Sequence, residues 1–452
     1  MAERKLPIGV QSFEKMITEG YYYVDKTQYI AQLLKGQVYF LSRPRRFGKS
    51  LFLSTLAAYF RGQKELFKGL YLEKAEEELA KQEKREAWVE YPVLYLDFAR
   101  KEYKTKEDLL ERLALNLRAW EATYGIDKIT DSPEEQFAYI IEQIHKLHGK
   151  QVVVLIDEYD KPLYESFGNE ELNEVYRSML RGFYSVIKSL DADIRFAFLT
   201  GITKFSKVSV FSGLNNLNDI SMEATYAGIC GIKEEELVSY FVSEIAELSA
   251  ALQLTHEETI AQLKQRYDGY QFCRFGEHVY NPFSLLNVLK KHEFADYWYA
   301  TGTPDFLVKY LKEAHYFIPD LEGGVRLDDY GLDKHRADAH DPIPILFQTG
   351  YLTIKEYIAA RNYYRLGYPN DEVRYGFLDN LMPAYTSIRA DKTGLSVWEF
   401  YEQIEAGDVD GFMEKLKGII SGIPYDSLTE KDIALREQNY QTAVYLVFAL
   451  MN

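Results

Sequence analysis

Cysteine is nearly absent: Cys230 and Cys273 are the only two in 452 residues. Two thiols cannot build a disulfide framework or a Cys-rich zinc site, and they read as reduced, partly buried side chains. Positive charge is also short. With 53 Lys and Arg against 69 Asp and Glu, the formal charge is −16. That balance speaks against a protein that coats nucleic acid, while leaving a local basic patch open. Long apolar runs are missing too. None approaches the ~20 residues of a membrane helix, and the start Met1-Ala2-Glu3-Arg4-Lys5-Leu6-Pro7 has no signal-peptide core. The expectation is a cytoplasmic protein with no membrane partner. The 8 histidines are scattered, and the nearest helical pair, His145 and His148, has no Cys or acid to complete a metal set. What is present is 47% hydrophobic residues in a length that suits two or three domains. The 37 tyrosines read as core and interface material.

One stretch organises the rest. Arg43-Pro44-Arg45-Arg46-Phe47-Gly48-Lys49-Ser50-Leu51 lies between a β-like run, Val38-Tyr39-Phe40-Leu41, and an apolar run through Phe60 that reads as a packed helix. Strand, loop, Gly-Lys-Ser and helix is the order of a phosphate-binding loop. Its backbone N–H groups and the positive end of the helix converge on a phosphate. Lys49 would reach the β- and γ-phosphates, and Ser50 would give Mg²⁺ an oxygen ligand. The pattern begins with Gly, whereas this chain has Arg43 followed by Pro44.

A second signal is Val152-Val153-Val154-Leu155-Ile156-Asp157-Glu158, a strand buried on both faces that ends in two acids. Asp157 is the candidate metal ligand, directly or through water, and Glu158 the candidate activator of the attacking water. A buried strand that merely ends in acids is the plainer reading of this signal alone, and a Gly-Lys-Ser tripeptide also arises by chance. Their joint order is what points to a nucleotide. A further strand, Ile194 to Leu199, leads to Thr200, the first candidate for sensing the nucleotide, with Thr203 second. Arg177 and Arg181 are either an arginine finger toward a neighbouring subunit or ordinary salt-bridged arginines. Met222 to Gly228 reads as a fifth strand. The aromatic segment Tyr21-Tyr22-Tyr23 before the loop either covers a base or packs.

Together, Tyr23-Val24-Asp25-Lys26-Thr27, the Arg43–Leu51 stretch, Ile156-Asp157-Glu158-Tyr159-Asp160-Lys161-Pro162, Leu199-Thr200-Gly201-Ile202-Thr203-Lys204 and Tyr267-Asp268-Gly269-Tyr270 resemble the bacterial AAA-ATPase-like family. Tyr280-Asn281-Pro282-Phe283 and Leu346-Phe347-Gln348-Thr349-Gly350-Tyr351 extend the resemblance over nearly the whole chain. It implies an ATPase core of the additional-strand type with strand order 5-1-4-3-2, and it makes the missing first Gly a family trait. It also implies a C-terminal PD-(D/E)XK nuclease-like domain. No acid followed by [DE]-x-K on suitable strands occurs after Val373, so that domain is expected to be truncated here. Pro304-Asp305 and Pro319-Asp320 are the only Pro-Asp pairs nearby.

The expected fold is therefore α/β, a P-loop NTPase with an AAA-like parallel sheet flanked by helices. A P-loop ATPase domain spans 1–228, a helical lid or winged-helix-like module 229–315, and an α+β region 316–452. Asn281-Pro282 and Thr303-Pro304 mark helix starts, residues 352–358 and 363–368 a hairpin, and the run from Asp328 to Asp341 a loop. The expected function is Mg²⁺-dependent binding and hydrolysis of ATP, controlling the C-terminal region, a protein partner or another copy of the chain. The alternatives are a nucleotide-dependent switch without turnover and, more weakly, a nuclease-associated protein of mobile-element or phage conflict.

Overall fold

The computed structural model describes residues 4–204, 210–211, 214–298, 305–328, 331–332, 341–386, 388–421 and 430–451. Thr303-Pro304 and most of the run from Asp328 to Asp341 lie outside them. Buried β-branched and aromatic runs form the parallel strands β1 (Val38–Ser42), β2 (Val93–Asp97), β3 (Val152–Asp157) and β4 (Ile194–Gly201), and the short polar β5 (Asn218–Asp219) completes the sheet. The strand order is β2-β3-β4-β1-β5, all parallel. Read from the other edge, this is the 5-1-4-3-2 order that the resemblance implies. Every residue of β1 and β3 is buried. Alternate side chains divide between the faces, with Tyr39, Leu41, Val153, Leu155, Phe196 and Phe198 on one, and Val38, Phe40, Val152, Val154, Ile156 and Ala197 on the other.

Helices cover both faces. The first carries α1 (Phe13–Thr18), α2 (Gln28–Leu33), α3 (Lys49–Phe60) and α4 (Tyr71–Glu83). Against the second pack α5 (Lys106–Tyr124), α6 (Pro133–His148), the short α7 (Lys161–Glu165) and α8 (Glu170–Ser189). Local chemistry sets their ends. On α5 a Thr105–Asp108 capping box starts the helix and Gly125 at φ +66° stops it, while Leu109, Leu113, Leu117 and Trp120 supply the buried stripe. The expected strand at 222–228 is instead a 3₁₀ turn, Ala224–Tyr226. The outer edge of β1 is already paired with Asn218 and Asp219 and accepts Ile220 N–H, so residues 222–228 turn back on their own carbonyls.

Beyond the sheet, α9 (Glu234–Tyr240), α10 (Val242–Leu252), α11 (His256–Tyr267) and α12 (Pro282–Lys291) build a separate apolar cluster. Phe241, whose backbone leaves helical geometry, separates α9 from α10. Asn281 caps α12 through Phe283 and Ser284 N–H, with Pro282 in its first turn. After α13 (Asp305–Glu313) come β6 (Val325–Asp328), α14 (Ile343–Thr349), β7 (Thr353–Ile358) and β8 (Tyr363–Gly367). These three strands make an antiparallel sheet in the order β6-β8-β7. The hairpin β7–β8 matches its sequence pattern. The third strand, β6, was not anticipated. The chain continues through α15 (Asp371–Tyr385), α16 (Thr393–Glu405), α17 (Val409–Ser421) and α18 (Glu430–Met451). Tyr351, Phe377 and Leu381 join the same core as Leu41 and Leu53, so the C-terminal half is packed on the sheet's first face. No helix among the described residues is long and apolar enough to cross a membrane.

Candidate active site

At the carboxyl end of β1 the chain turns into α3 through a loop with two left-handed residues, Arg46 at φ +65° and Gly48 at φ +96°. Gly48 suits such a backbone, and Arg46 holds it at a cost of order 1–3 kcal/mol. The first bond within α3 runs from Phe52 N–H to Gly48 C=O. Lys49, Ser50 and Leu51 therefore have the N–H groups that the helix itself leaves over, directed at the loop.

Lys49 is almost fully buried and its Nζ donates to the Arg43 and Pro44 carbonyls, each at 3.1 Å. The same Nζ lies 3.8 Å from Glu158 Oε1. Asp157, on the last position of β3, accepts Glu158 N–H at 3.0 Å. Burial, seconded by the Glu158 charge, pushes the Asp157 carboxyl up to about 6. Glu158 itself sits at φ +52°, a strained position for a glutamate. Arg45, Arg46, Lys49, Ser50 and Glu158 line one cavity of about 520 Å³, together with residues 7–11, Lys161, Tyr164, Glu165 and Phe283. A second, mainly apolar hollow of about 90 Å³ shares Gly48, Leu51, Pro282 and Leu286 with it and continues along Tyr22, Tyr23, Ile229 and Phe241.

Several expected site residues lie elsewhere. Arg43 is 1% exposed, and its guanidinium donates to the carbonyls of Ser42 (2.9 Å), Ser221 (2.7 Å) and Tyr226 (3.3 Å). Its Cζ stands 4.4 Å over the Phe272 ring. The side chain of this member of the expected phosphate-binding stretch thus faces away from the cavity, and its carbonyl is what accepts from Lys49. Phe47 is likewise turned inward, edge-on to Tyr270 and Phe272, and Pro44 lies against Gly350. Thr200 is fully buried and absent from the cavity wall, since its Oγ1 donates to the Leu41 carbonyl at 2.9 Å. Arg177 and Arg181 pair with Glu174 on their own helix and do not line the cavity. His145 bonds Asp193 at 2.7 Å, and no group of three or more possible metal ligands occurs among the described residues.

Sequence reasoning passed over Asp160. It is fully buried and accepts from Ile202 N–H, Thr203 N–H and Thr203 Oγ1, the last two at 2.7 and 2.6 Å. A Cβ at Gly201 would collide with this carboxylate and with the Tyr159 ring. Asp160 therefore ties the end of β4 to the turn that carries Glu158. Burial first, then Glu158, raises its carboxyl to about 6. Its place three residues after Asp157 was the available signal. Tyr164 was also missed, because a single aromatic in a short helix carries no pattern.

The AAA-ATPase-like family, described as "Predicted AAA-ATPase", matches residues 7–211. An uncharacterized protein in the vnfD 5' region of Azotobacter chroococcum mcd 1 is 40% identical over 460 residues, covering 100% of this chain and 84% of that protein. No solved structure matches. The matched residues hold the loop, both acids and all four long strands of the sheet, and the relative extends the likeness through the C-terminal half: the chain belongs to the AAA-ATPase-like family, a group of predicted nucleotide-binding ATPases.

Proposed function

We propose that the chain binds ATP with Mg²⁺ and hydrolyses it, and that the cycle is passed to its C-terminal half. The observation that carries this reading is the meeting of Lys49, Ser50 and Glu158 at one wall of a nucleotide-sized cavity, with the buried Asp157 next to Glu158 at the end of β3. Lys49 would exchange its bonds to the Arg43 and Pro44 carbonyls for phosphate oxygens. The N–H groups at the start of α3 would hold the same phosphates. Ser50 and Asp157 would suit a magnesium ion, since both offer oxygen ligands and burial beside a second acid, Glu158, raises the Asp157 carboxyl to about 6, a cost that a cation would relieve. When bound, the ion supplies charge that shields the phosphates. Glu158 would take a proton from the attacking water. The apolar hollow beside Gly48 is the assigned place for the base, with Tyr22 and Tyr23 among its walls.

The division into an ATPase unit at 1–228, a helical module at 229–315 and an output region at 316–452 belongs to the same proposal. Three contacts support the coupling. Trp298 Nε1 donates to the Arg45 carbonyl at 3.1 Å, Phe47 packs on Tyr270 and Phe272, and Pro44 abuts Gly350. Equilibrium binding of a fluorescent ATP analogue and phosphate release test the reading. Lys49→Ala should lower affinity at least ~100-fold, removing a charge-assisted contact of roughly 3 kcal/mol. Glu158→Gln should bind nucleotide normally and release phosphate on the order of 100-fold more slowly. A wild-type chain that binds nucleotide but never turns it over would leave only the switch reading standing.

A further inference from the structure

Hydrolysis by this cavity needs a cation on the transferring phosphoryl group besides Lys49. We infer that Arg45 supplies it from within the same chain, a role that rests on the ATPase reading above. The cations lining the cavity are Arg45, Arg46, Lys49 and Lys161. Lys161 is committed to the Ala99 carbonyl at 2.8 Å and to Glu165 at 3.5 Å. Arg46 stands over the Phe283 ring, on the α12 side of the cavity. Arg45 is on the Glu158 side: its Cζ lies 5.3 Å over the Tyr164 ring, and Tyr164 feels the Glu158 and Arg45 charges together. Among the described residues, no carboxylate is ion-paired with Arg45. Its backbone is fixed as well, because its carbonyl accepts Trp298 Nε1. An anchored, half-buried arginine that lines the same cavity as Lys49 and Glu158 is the arrangement that stabilises a phosphoryl group in flight.

The step balances as ATP⁴⁻ + H₂O → ADP³⁻ + HPO₄²⁻ + H⁺. The water oxygen bonds to the γ-phosphorus as the bond from that phosphorus to the β,γ-bridging oxygen breaks. The electron pair stays on the bridging oxygen, the proton goes to Glu158 and then to solvent, and Arg45 donates N–H to the oxygens on which charge builds. Arg177 and Arg181, turned to Glu174 on α8, take no part.

The test uses the full chain with Mg-ATP. Arg45→Gln keeps a stem over Tyr164 and should lose turnover on the order of 10³-fold, as removal of an arginine finger does. Its ATP affinity should change less than about tenfold, and Arg45→Lys should stay impaired because an ammonium lacks the planar fork. Mixing Arg45→Gln with Lys49→Ala chains separates the source of the arginine. A cis residue leaves the mixture inactive, whereas an arginine delivered across a subunit contact would restore turnover and overturn the inference. Equal loss of affinity and turnover in Arg45→Gln, or wild-type turnover in that variant, would also overturn it. If the wild-type chain itself neither binds ATP nor releases phosphate, the ATPase reading fails first. Turnover in Arg181→Ala is expected to match wild type.

Discussion

Arg43 and Arg45 stand two positions apart in one loop, carry the same side chain, and face opposite ways. Arg43 points into protein, where three backbone carbonyls and the Phe272 ring surround it. Arg45 lines the cavity, backed only by Tyr164 among rings. The alternation divides the loop into an inner face, Arg43, Pro44 and Phe47, and an outer face, Arg45, Arg46, Lys49 and Ser50. Its inner face is part of the core that unites the sheet with the C-terminal half, through Phe272, Tyr270 and Gly350. Where the phosphate-loop pattern has a glycine, this chain has a buried guanidinium that bolts β1 to the turn after β5. A loop fastened in this way cannot shift without moving what it is fastened to, which is the physical ground for the coupling to the C-terminal half that we propose.

The sharpest way to break that contrast is Arg43→Gly. It strips three carbonyls of their donor and opens space beneath Phe272, so stability should fall by about 3–5 kcal/mol, the cost of breaking a buried, charge-assisted network. Arg45→Gln should cost less than about 1 kcal/mol, as one partly exposed cation over a ring. Urea unfolding midpoints of the two variants decide the matter. Equal midpoints would mean that the inner and outer faces are not energetically distinct. Below its midpoint, Arg43→Gly should still bind ATP, since Lys49 and the N–H groups at the start of α3 remain.

This contrast also explains what could be read before the structure was known. Gly48-Lys49-Ser50 and Asp157-Glu158 are short local patterns that follow or end two strands, and the parallel strands of one sheet present their carboxyl ends at one edge, here with β4 between β1 and β3. The two strand ends and the start of α3 were therefore legible in the residues, and the strand order in the family resemblance. Side-chain direction within the loop was not. Arg43 turns inward because of Ser221, Tyr226 and Phe272, all more than a hundred residues away in sequence. Thr200 donates its hydroxyl to Leu41 for the same kind of reason: β1 and β4 register places them opposite each other. β5 escaped notice because it is a two-residue strand with polar side chains, set by the edge it meets.

Behind the outer face lies an acid that sharpens the comparison through pH. Glu372 is fully buried in α15, accepting Ser284 Oγ at 2.7 Å and Trp298 N–H at 2.7 Å. Burial raises its carboxyl from 4.5 to about 7 against the pull of those bonds. Between these values the folded chain keeps a proton that the unfolded chain releases, so stability falls as pH rises through the window. Glu372→Gln mimics the protonated form. Its melting temperature relative to wild type should climb from pH 5 to 7 and level off above, by an amount equivalent to at most about 3 kcal/mol. A difference that stays flat across this range would show that the carboxyl titrates normally.

The smallest effect expected is at Trp298, the link between that acid and the loop. Its backbone N–H serves Glu372 and its Nε1 serves the Arg45 carbonyl, so Trp298 touches both the C-terminal core and the loop. Trp298→Phe keeps an aromatic ring beside Tyr351 and the backbone bond, and removes the donor at 3.1 Å from the Arg45 carbonyl. Stability should drop by about 1 kcal/mol, the net worth of one neutral hydrogen bond. If the indole also holds Arg45 in place for chemistry, turnover should fall several-fold while ATP affinity is unchanged, because Lys49 and the helix start do not depend on it. A loss confined to stability would make Trp298 a packing residue. A loss of turnover at constant affinity would place the path between nucleotide and C-terminal half through this one bond, on the outer face and not through Arg43.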